Sequence, residues 1–294
     1  MTILLTGATG FLGSHLLTKL VELNHNVVIL KRSTSNTWRI NSLLSKVKSY
    51  DIDKVPMEKP FEEQKIDVVI HTVTNYGRNN GTISSIVDTN LMFSLKLLET
   101  ATFFNTDTFF NTDTFFNTDT LLYKYLNHYS LSKKQFVEWL RYFSDKIKVV
   151  NLKLEHMYGP KDDDTKFVTW ITNQMLENVE SIDLTEGIQK RDFIYIDDVV
   201  DVYILMLEKS KSFQAFSEFD VGTGNQIELK EFILKIYKEI SKIKPITTKL
   251  NFGAKAYREG EFMEIEEDVK PLFDLDWKPK VSIEDGIKTI LKEK

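Results

Sequence analysis

Ile3-Leu4-Leu5-Thr6-Gly7-Ala8-Thr9-Gly10-Phe11-Leu12-Gly13 is the stretch from which the rest of the chain is read. Three apolar residues make a short buried strand, and from Gly13 to Leu23 apolar positions recur at helical spacing. Between strand and helix stand three glycines at intervals of three. Gly7 permits a tight turn, Gly10 lets the backbone approach a pyrophosphate at the positive helix N-terminus, and Gly13 lets helix and strand pack closely. Thr9, Phe11 and Leu12 complete the segment, which predicts a dinucleotide cofactor.

Working outward, the same alternation repeats. Val27-Val28-Ile29-Leu30, Val68-Val69-Ile70, Lys148-Val149-Val150-Asn151-Leu152 and Phe193-Ile194-Tyr195-Ile196 are strand-like runs. Helical periods fall over Asp88–Ala101, with Leu91, Leu95 and Leu98 on one stripe, and over Ser130–Phe143. Short apolar strands separated by helices require a parallel sheet covered on both faces. The expectation is an α/β chain with a Rossmann-type doubly wound parallel sheet and a smaller C-terminal substrate-binding lobe. The cofactor domain is expected over 1–155, rejoined by about 188–225. The lobe takes 156–187 and 226–294, and beyond Glu155 helices are expected at Thr165–Glu177, Asp198–Lys209 and Leu229–Ile240.

Composition narrows the function. Of 294 residues, 42% are hydrophobic and 28% charged, which suits a globular chain, and 38 basic against 43 acidic residues leave a net charge of −5. That balance argues against a nucleic-acid partner. Cysteine is absent, so thiolate metal sites, cysteine nucleophiles and disulfides are excluded. No run of ~18 apolar residues suggests a membrane span, and the N-terminus lacks a signal-peptide pattern. A cytoplasmic location is expected. His71, His128 and His156 are too scattered to suggest a metal site.

Residues 103–120 repeat Phe-Phe-Asn-Thr-Asp-Thr three times, as Phe103–Thr108, Phe109–Thr114 and Phe115–Thr120. As one strand this would reach ~60 Å, too long for such a domain. Six is even, so a slip by one copy keeps every side chain on its face. One copy alone is expected to be the strand.

Two further motifs carry chemistry. At the end of the second strand, Lys31-Arg32-Ser33 offers cations and a hydroxyl where an NAD-selective fold usually places an acid, which favours NADP(H) over NAD(H). Tyr129-Ser130-Leu131-Ser132-Lys133 opens a helix and puts phenol and ammonium on one face. The ammonium is expected to lower the tyrosine pKa, so that Tyr129 exchanges a proton with a carbonyl or alcohol while hydride moves to or from nicotinamide.

With these residues in place, the chain resembles the extended short-chain dehydrogenase/reductases, the NAD(P)-dependent sugar-nucleotide epimerase/dehydratase family. Asp67-Val68-Val69-Ile70-His71, Asp88-Thr89-Asn90, Tyr158-Gly159-Pro160, the segment from Arg191 to Val200, Asp220-Val221-Gly222-Thr223-Gly224 and Trp277-Lys278-Pro279 resemble further family segments. The resemblance implies that Thr72, Val73, Thr74, Asn90 and Asp51 join the cofactor set. Its third catalytic residue, a Ser or Thr at the end of the fifth strand, maps to Thr118 in the third hexapeptide, with Thr112 in reserve. A dehydratase would carry a glutamate where Thr120 stands, so elimination is disfavoured. The chain is most similar to the CDP-abequose/CDP-paratose synthase branch, which implies NADPH-dependent reduction of a 4-keto group on a CDP-linked deoxysugar for surface-polysaccharide biosynthesis. Asn75, Tyr76, Thr118, Lys166, Phe167, Arg191, Tyr257 and Arg258 are the substrate candidates. A homodimer is implied as well. The alternatives are a UDP-hexose 4-epimerase holding NAD, and an inactive NADP(H)-binding or scaffold protein.

Overall fold

Runs of aliphatic residues become the strands because only a sheet covered on both faces buries them continuously. The computed structural model describes residues 1–78, 81–105, 113–258 and 260–294. In chain order come β1 (Thr2–Thr6), α1 (Phe11–Glu22), β2 (Asn26–Lys31), β3 (Lys48–Asp51), α2 (Lys59–Glu63), β4 (Val68–His71), α3 (Ile83–Val87), α4 (Ser94–Asn105), β5 (Thr114–Thr120), α5 (His128–Phe143) and β6 (Lys148–Leu154). There follow β7 (His156–Tyr158), α6 (Phe167–Leu176), β8 (Ser181–Leu184), β9 (Lys190–Tyr195), α7 (Ile196–Lys209), β10 (Phe216–Val221), β11 (Gln226–Glu228), α8 (Leu229–Ser241), β12 (Lys249–Phe252), α9 (Lys270–Phe273) and α10 (Ile283–Lys292).

Two compact units result: Met1–Leu154 with Val202–Phe219, and Glu155–Asp201 with Asp220–Lys294. The first holds most of a seven-stranded sheet ordered β10-β6-β5-β4-β1-β2-β3, in which β1, β2, β3, β4, β5 and β6 run parallel. This is the doubly wound, Rossmann-like arrangement. Leu4, Val28, Val69, Phe115 and Val149 from the strands meet Leu97, Leu98, Phe104, Phe136 and Leu140 from the helices in one buried cluster. At ~25 cal/mol per Å², that shared burial is the main source of the unit's stability.

The division differs from the expected 1–155 rejoined by 188–225. Residues 188–201 and 220–225 group with the second unit, and only Val202–Phe219 returns to the first. The reason is strand pairing: β9 joins a separate three-stranded sheet, parallel to β7 and antiparallel to β11. Phe193 of β9 stacks on Phe232 of α8 with ring centroids 3.7 Å apart, which anchors that sheet in its own core.

The helix expected over Asp88–Ala101 is longer and broken in character. α3 leads into a wide π turn, Asp88–Phe93, and α4 then runs to Asn105. The first hexapeptide therefore begins helical, because Phe104 buries against Phe61 with centroids 5.5 Å apart. The third copy, with Thr114 of the second, forms β5, all seven residues buried. Residues 106–112, including Thr112, lie outside the described residues.

Candidate active site

The glycine turn is built as its spacing implies. Gly7 has φ +74°, and Gly10 N donates to Gly7 O at 2.8 Å. A Cβ on Gly7 would stand 2.4 Å from Thr72 Oγ1, and one on Gly13 would stand 2.1 Å from Gly7 O. Gly10 is the N-cap of α1 and supplies no side-chain acceptor, and the first turn carries no acid. The N–H groups there are left for an anion. Around the turn, Thr72 Oγ1 donates to Thr6 O at 2.8 Å and Arg39 Nη1 to Thr9 O at 3.3 Å. Phe11 packs edge-on against His15, Leu12 is buried, and Val73-Thr74 follow the end of β4.

At the end of β2 the charges are partly balanced. Lys31 pairs with Asp51 of β3, and both Ser33 N and Ser33 Oγ donate to Asp53. Arg32 is exposed, and among the described residues its guanidinium enters no ion pair.

Tyr129 and Lys133 sit in the first turns of α5, which starts with a capping box. Ser130 N donates to Asn127 Oδ1 at 2.9 Å, and Asn127 N donates to Ser130 Oγ at 3.1 Å. Lys133 is 1% exposed, and its Nζ has no hydrogen-bond partner among the described residues. Burial lowers its pKa to about 8 despite the opposing pull of Asp119. A buried ammonium without an acceptor is costly, and its unpaired donors fit ribose hydroxyls. Together with the bare helix N-terminus this matches a nicotinamide dinucleotide.

The tyrosine departs from expectation. Its phenol is pushed well above the usual tyrosine range, first by burial, then by Tyr76 and Asp119, with a hydrogen bond to the Thr120 side chain working the other way. Burial outweighs the ammonium at i+4, so the net shift is upward. Tyr129 is therefore held in its acid form. The Tyr76 ring lies 4.8 Å from it, centroid to centroid.

β5 supplies the surrounding polar groups, and most are paired, since burying one unpaired costs ~1–3 kcal/mol; Asn117 Oδ1 and Asp119 Oδ1 have no partner among the described residues. Asn117 Nδ2 donates to Asn151 Oδ1 at 2.7 Å. Asp119 takes an ion pair from Lys134 at 2.8 Å. The Thr118 hydroxyl lies 2.6 Å from the Tyr203 hydroxyl. Thr120, two residues on and on the same strand face as Thr118, carries the hydroxyl that acts on the Tyr129 phenol, and its Oγ1 accepts from Leu122 N at 3.2 Å. The two-residue period of a strand was the available signal for Thr120. Nothing local in sequence pointed to Tyr203 or to Lys134.

Asn90, in the π turn, donates from Nδ2 to Asn75 O and to Ser132 Oγ, both at 2.9 Å, and accepts from Asn75 N at 2.7 Å. Asn90 and Asn75 are thereby tied to α5.

In the second unit, Lys166 is the N-cap of α6, which begins at Phe167. Arg191 of β9 pairs with Glu261 and donates to Lys190 O at 2.6 Å. Tyr257 Oη accepts from Ile188 N at 3.4 Å, and Arg258 is exposed. Asp192, next to Arg191, accepts from Thr223 Oγ1 at 2.7 Å and Gly224 N at 2.8 Å, closing the Gly222–Gly224 turn. Among the described residues no group of three or more His, Asp or Glu is arranged to hold a metal ion, and no helix is long and apolar enough to cross a membrane.

This geometry matches known proteins. The model of the NAD dependent epimerase/dehydratase family matches residues 3–222. The chain is 36% identical to a CDP-abequose synthase of Salmonella muenchen, over 99% of this chain and 97% of that one. It is 33% identical to a CDP-abequose synthase of Salmonella typhimurium over the same shares. Among solved structures, a UDP-glucose 4-epimerase of Thermotoga maritima with UDP-glucose superposes with a TM-score of 0.83 at 25% identity, covering 99% of this chain and 98% of that one.

Proposed function

Because the chain belongs to the NAD dependent epimerase/dehydratase family, and so is an NAD(P)-dependent oxidoreductase of sugar nucleotides, we propose that it reduces the 4-keto group of a CDP-linked 3,6-dideoxyhexose with NADPH. Near-full-length similarity to two CDP-abequose synthases supports the substrate class. The observation that carries this reading is the pair opening α5, the Tyr129 phenol one helical turn from a buried Lys133 ammonium whose Nζ has no partner among the described residues. Ketone reduction needs a proton donor, whereas an epimerase must first take a proton from an alcohol.

Gly7, Gly10 and Gly13 with the α1 N-terminus would hold the diphosphate, Lys133 a ribose hydroxyl, and Thr72, Val73 and Thr74 the face beside β4. When bound, the cofactor supplies hydride. Tyr129 gives its proton to the oxygen that gains charge, and the Thr120 hydroxyl orients the phenol. The Lys133 charge then stabilises the tyrosinate left behind. Thr118, tied to Tyr203, stiffens the strand end and remains the candidate for contact with the sugar. Arg258 and Lys166 are the candidates for the substrate diphosphate.

Arg32 supports NADPH. Asp51 and Asp53 favour the competing epimerase reading, since acids at this position accept the ribose hydroxyls of NAD. One assay separates them. With NADPH and CDP-4-keto-3,6-dideoxyglucose, loss of NADPH matched to product supports reduction, and Tyr129→Phe abolishes it while keeping cofactor binding. Interconversion of UDP-glucose and UDP-galactose without net cofactor use would sink the proposal. Cofactor binding without turnover of either substrate would instead favour the inactive reading.

A further inference from the structure

A buried chain of hydrogen bonds runs from the glycine turn to the catalytic helix, and its direction can be assigned. Ser94 Oγ has one proton and donates it to Asn90 O at 2.9 Å. His71 Nε2, 2.7 Å from the same oxygen, must therefore be the donor to Ser94. That leaves His71 Nδ1 to accept the Thr6 hydroxyl proton at 2.7 Å. Thr6 directly precedes Gly7. At the other end, Asn90 Nδ2 donates to Ser132 Oγ, and Ser132 Oγ donates to the Tyr129 carbonyl at 2.8 Å. Thr6, His71, Asn90, Ser94 and Ser132 are all fully buried.

The π turn Asp88–Phe93 gives the chain its shape. Its wider winding brings the Asn90 side chain to Asn75 and Ser132 while the Asn90 carbonyl receives Ser94. π turns are rare and frequently lie at functional sites. Phe93, Phe115 and Phe136 enclose the imidazole at 5.9–6.0 Å, so it has no water to turn to. Burial, then the Lys133 charge, keeps it neutral, as the assigned tautomer requires.

We propose that His71 and Ser132 are positioning residues for Tyr129: the chain Thr6–His71–Ser94–Asn90–Ser132 ties the first turn of α5 to the cofactor turn. This rests on Tyr129 as the proton donor. A fully satisfied buried network fixes one geometry, and a displacement of ~1 Å at a reacting group can cost ~100-fold in rate.

His71→Phe keeps the ring and removes both nitrogens, and Ser132→Ala cuts the far end. Amide hydrogen exchange of the apo protein gives a readout free of turnover. Both variants should speed exchange over residues 128–133 at least about tenfold while leaving α1 unchanged, and unchanged exchange in 128–133 would overturn the proposal. With NADPH and CDP-4-keto-3,6-dideoxyglucose, each single variant should lower kcat about 10- to 100-fold with KM within about twofold. The double variant should lose no more than the worse single, because both break one chain. Multiplicative losses would overturn the proposal. Ser132→Thr keeps the hydroxyl and should restore most of kcat. Should His71→Phe fail to fold, Ser94→Ala interrupts the same chain and carries the same expectations. Tyr129→Phe run alongside keeps the two readings apart. Activity surviving in Tyr129→Phe defeats the proton-donor reading, whereas its loss beside fully active His71→Phe and Ser132→Ala defeats the positioning role alone.

Discussion

Gly13→Ala and Gly10→Ala should separate the structural from the ligand-binding work of the glycine turn. At Gly13 an added Cβ lies 2.1 Å from Gly7 O, 2.6 Å from Gly7 C and 3.0 Å from the Ala8 Cα, all of them backbone. Reaching ordinary contact means moving strand end and helix apart by about 1.4 Å, given contact distances near ~3.5 Å. No rotamer change relieves it, so the cost falls at the upper end of overpacking, about 3 kcal/mol. Alanine's helix propensity returns ~1 kcal/mol. The net loss of about 2 kcal/mol lowers Tm by roughly 4–8 °C in a chain this size. Gly10 differs: φ −80° and ψ 179° suit alanine, and the nearest atom to a Cβ is Gly7 O at 3.2 Å. Its stability cost stays near ~1 kcal/mol or below, from the lost preference for glycine at an N-cap. The new methyl nevertheless stands at the helix N-terminus where a diphosphate must approach. Thermal unfolding followed by circular dichroism and NADPH titration followed by fluorescence provide the test. Gly13→Ala with wild-type Tm would contradict the tight strand–helix contact, and Gly10→Ala with wild-type NADPH affinity would contradict a diphosphate at the α1 N-terminus.

Thr120→Val should cost more turnover than Thr118→Val, about tenfold or more, since Thr120 is the residue hydrogen-bonded to the Tyr129 phenol; equal kcat values in the two variants would contradict the assignment. Lys133 titrates near 8 in the folded chain against an ordinary 10.5. Its charge is therefore lost as pH rises through about 8, and kcat measured with saturating NADPH should fall there; in Lys133→Met that limb of the pH profile should vanish. For the apo protein the same depressed pKa means the unfolded chain holds the extra proton between about 8 and 10.5, so this group's contribution to stability rises with pH across that window. Differential calorimetry of wild type against Lys133→Met would show it. Arg32→Asp should lower NADPH affinity at least about tenfold and spare NADH; equal losses for both cofactors would remove Arg32 from the 2′-phosphate role.

Much of the cofactor site was legible because it is local. The strand, the glycine spacing and the helix of residues 2–22 are neighbours in sequence, and the geometry follows from glycine's small volume and the helix terminus. The same holds for Tyr129 and Lys133, whose i,i+4 spacing fixes a shared helix face. The register of the repeated hexapeptide was a different matter. A six-residue repeat is indifferent to a six-residue slip, and the third copy became β5 while the first entered α4, where Phe104 found the core.

The parallel sheet, the glycine turn after β1 and the Tyr129–Lys133 pair on α5 could be read from the sequence, because each depends on residues within one or two turns of chain. Folding in three dimensions is what buries the Tyr129 phenol, brings the Thr118 hydroxyl to Tyr203, 85 residues away, and places His71 between Thr6 and Ser94. Burial and charge at a side chain are sums over everything packed around it, and such neighbours are brought together only when the chain folds.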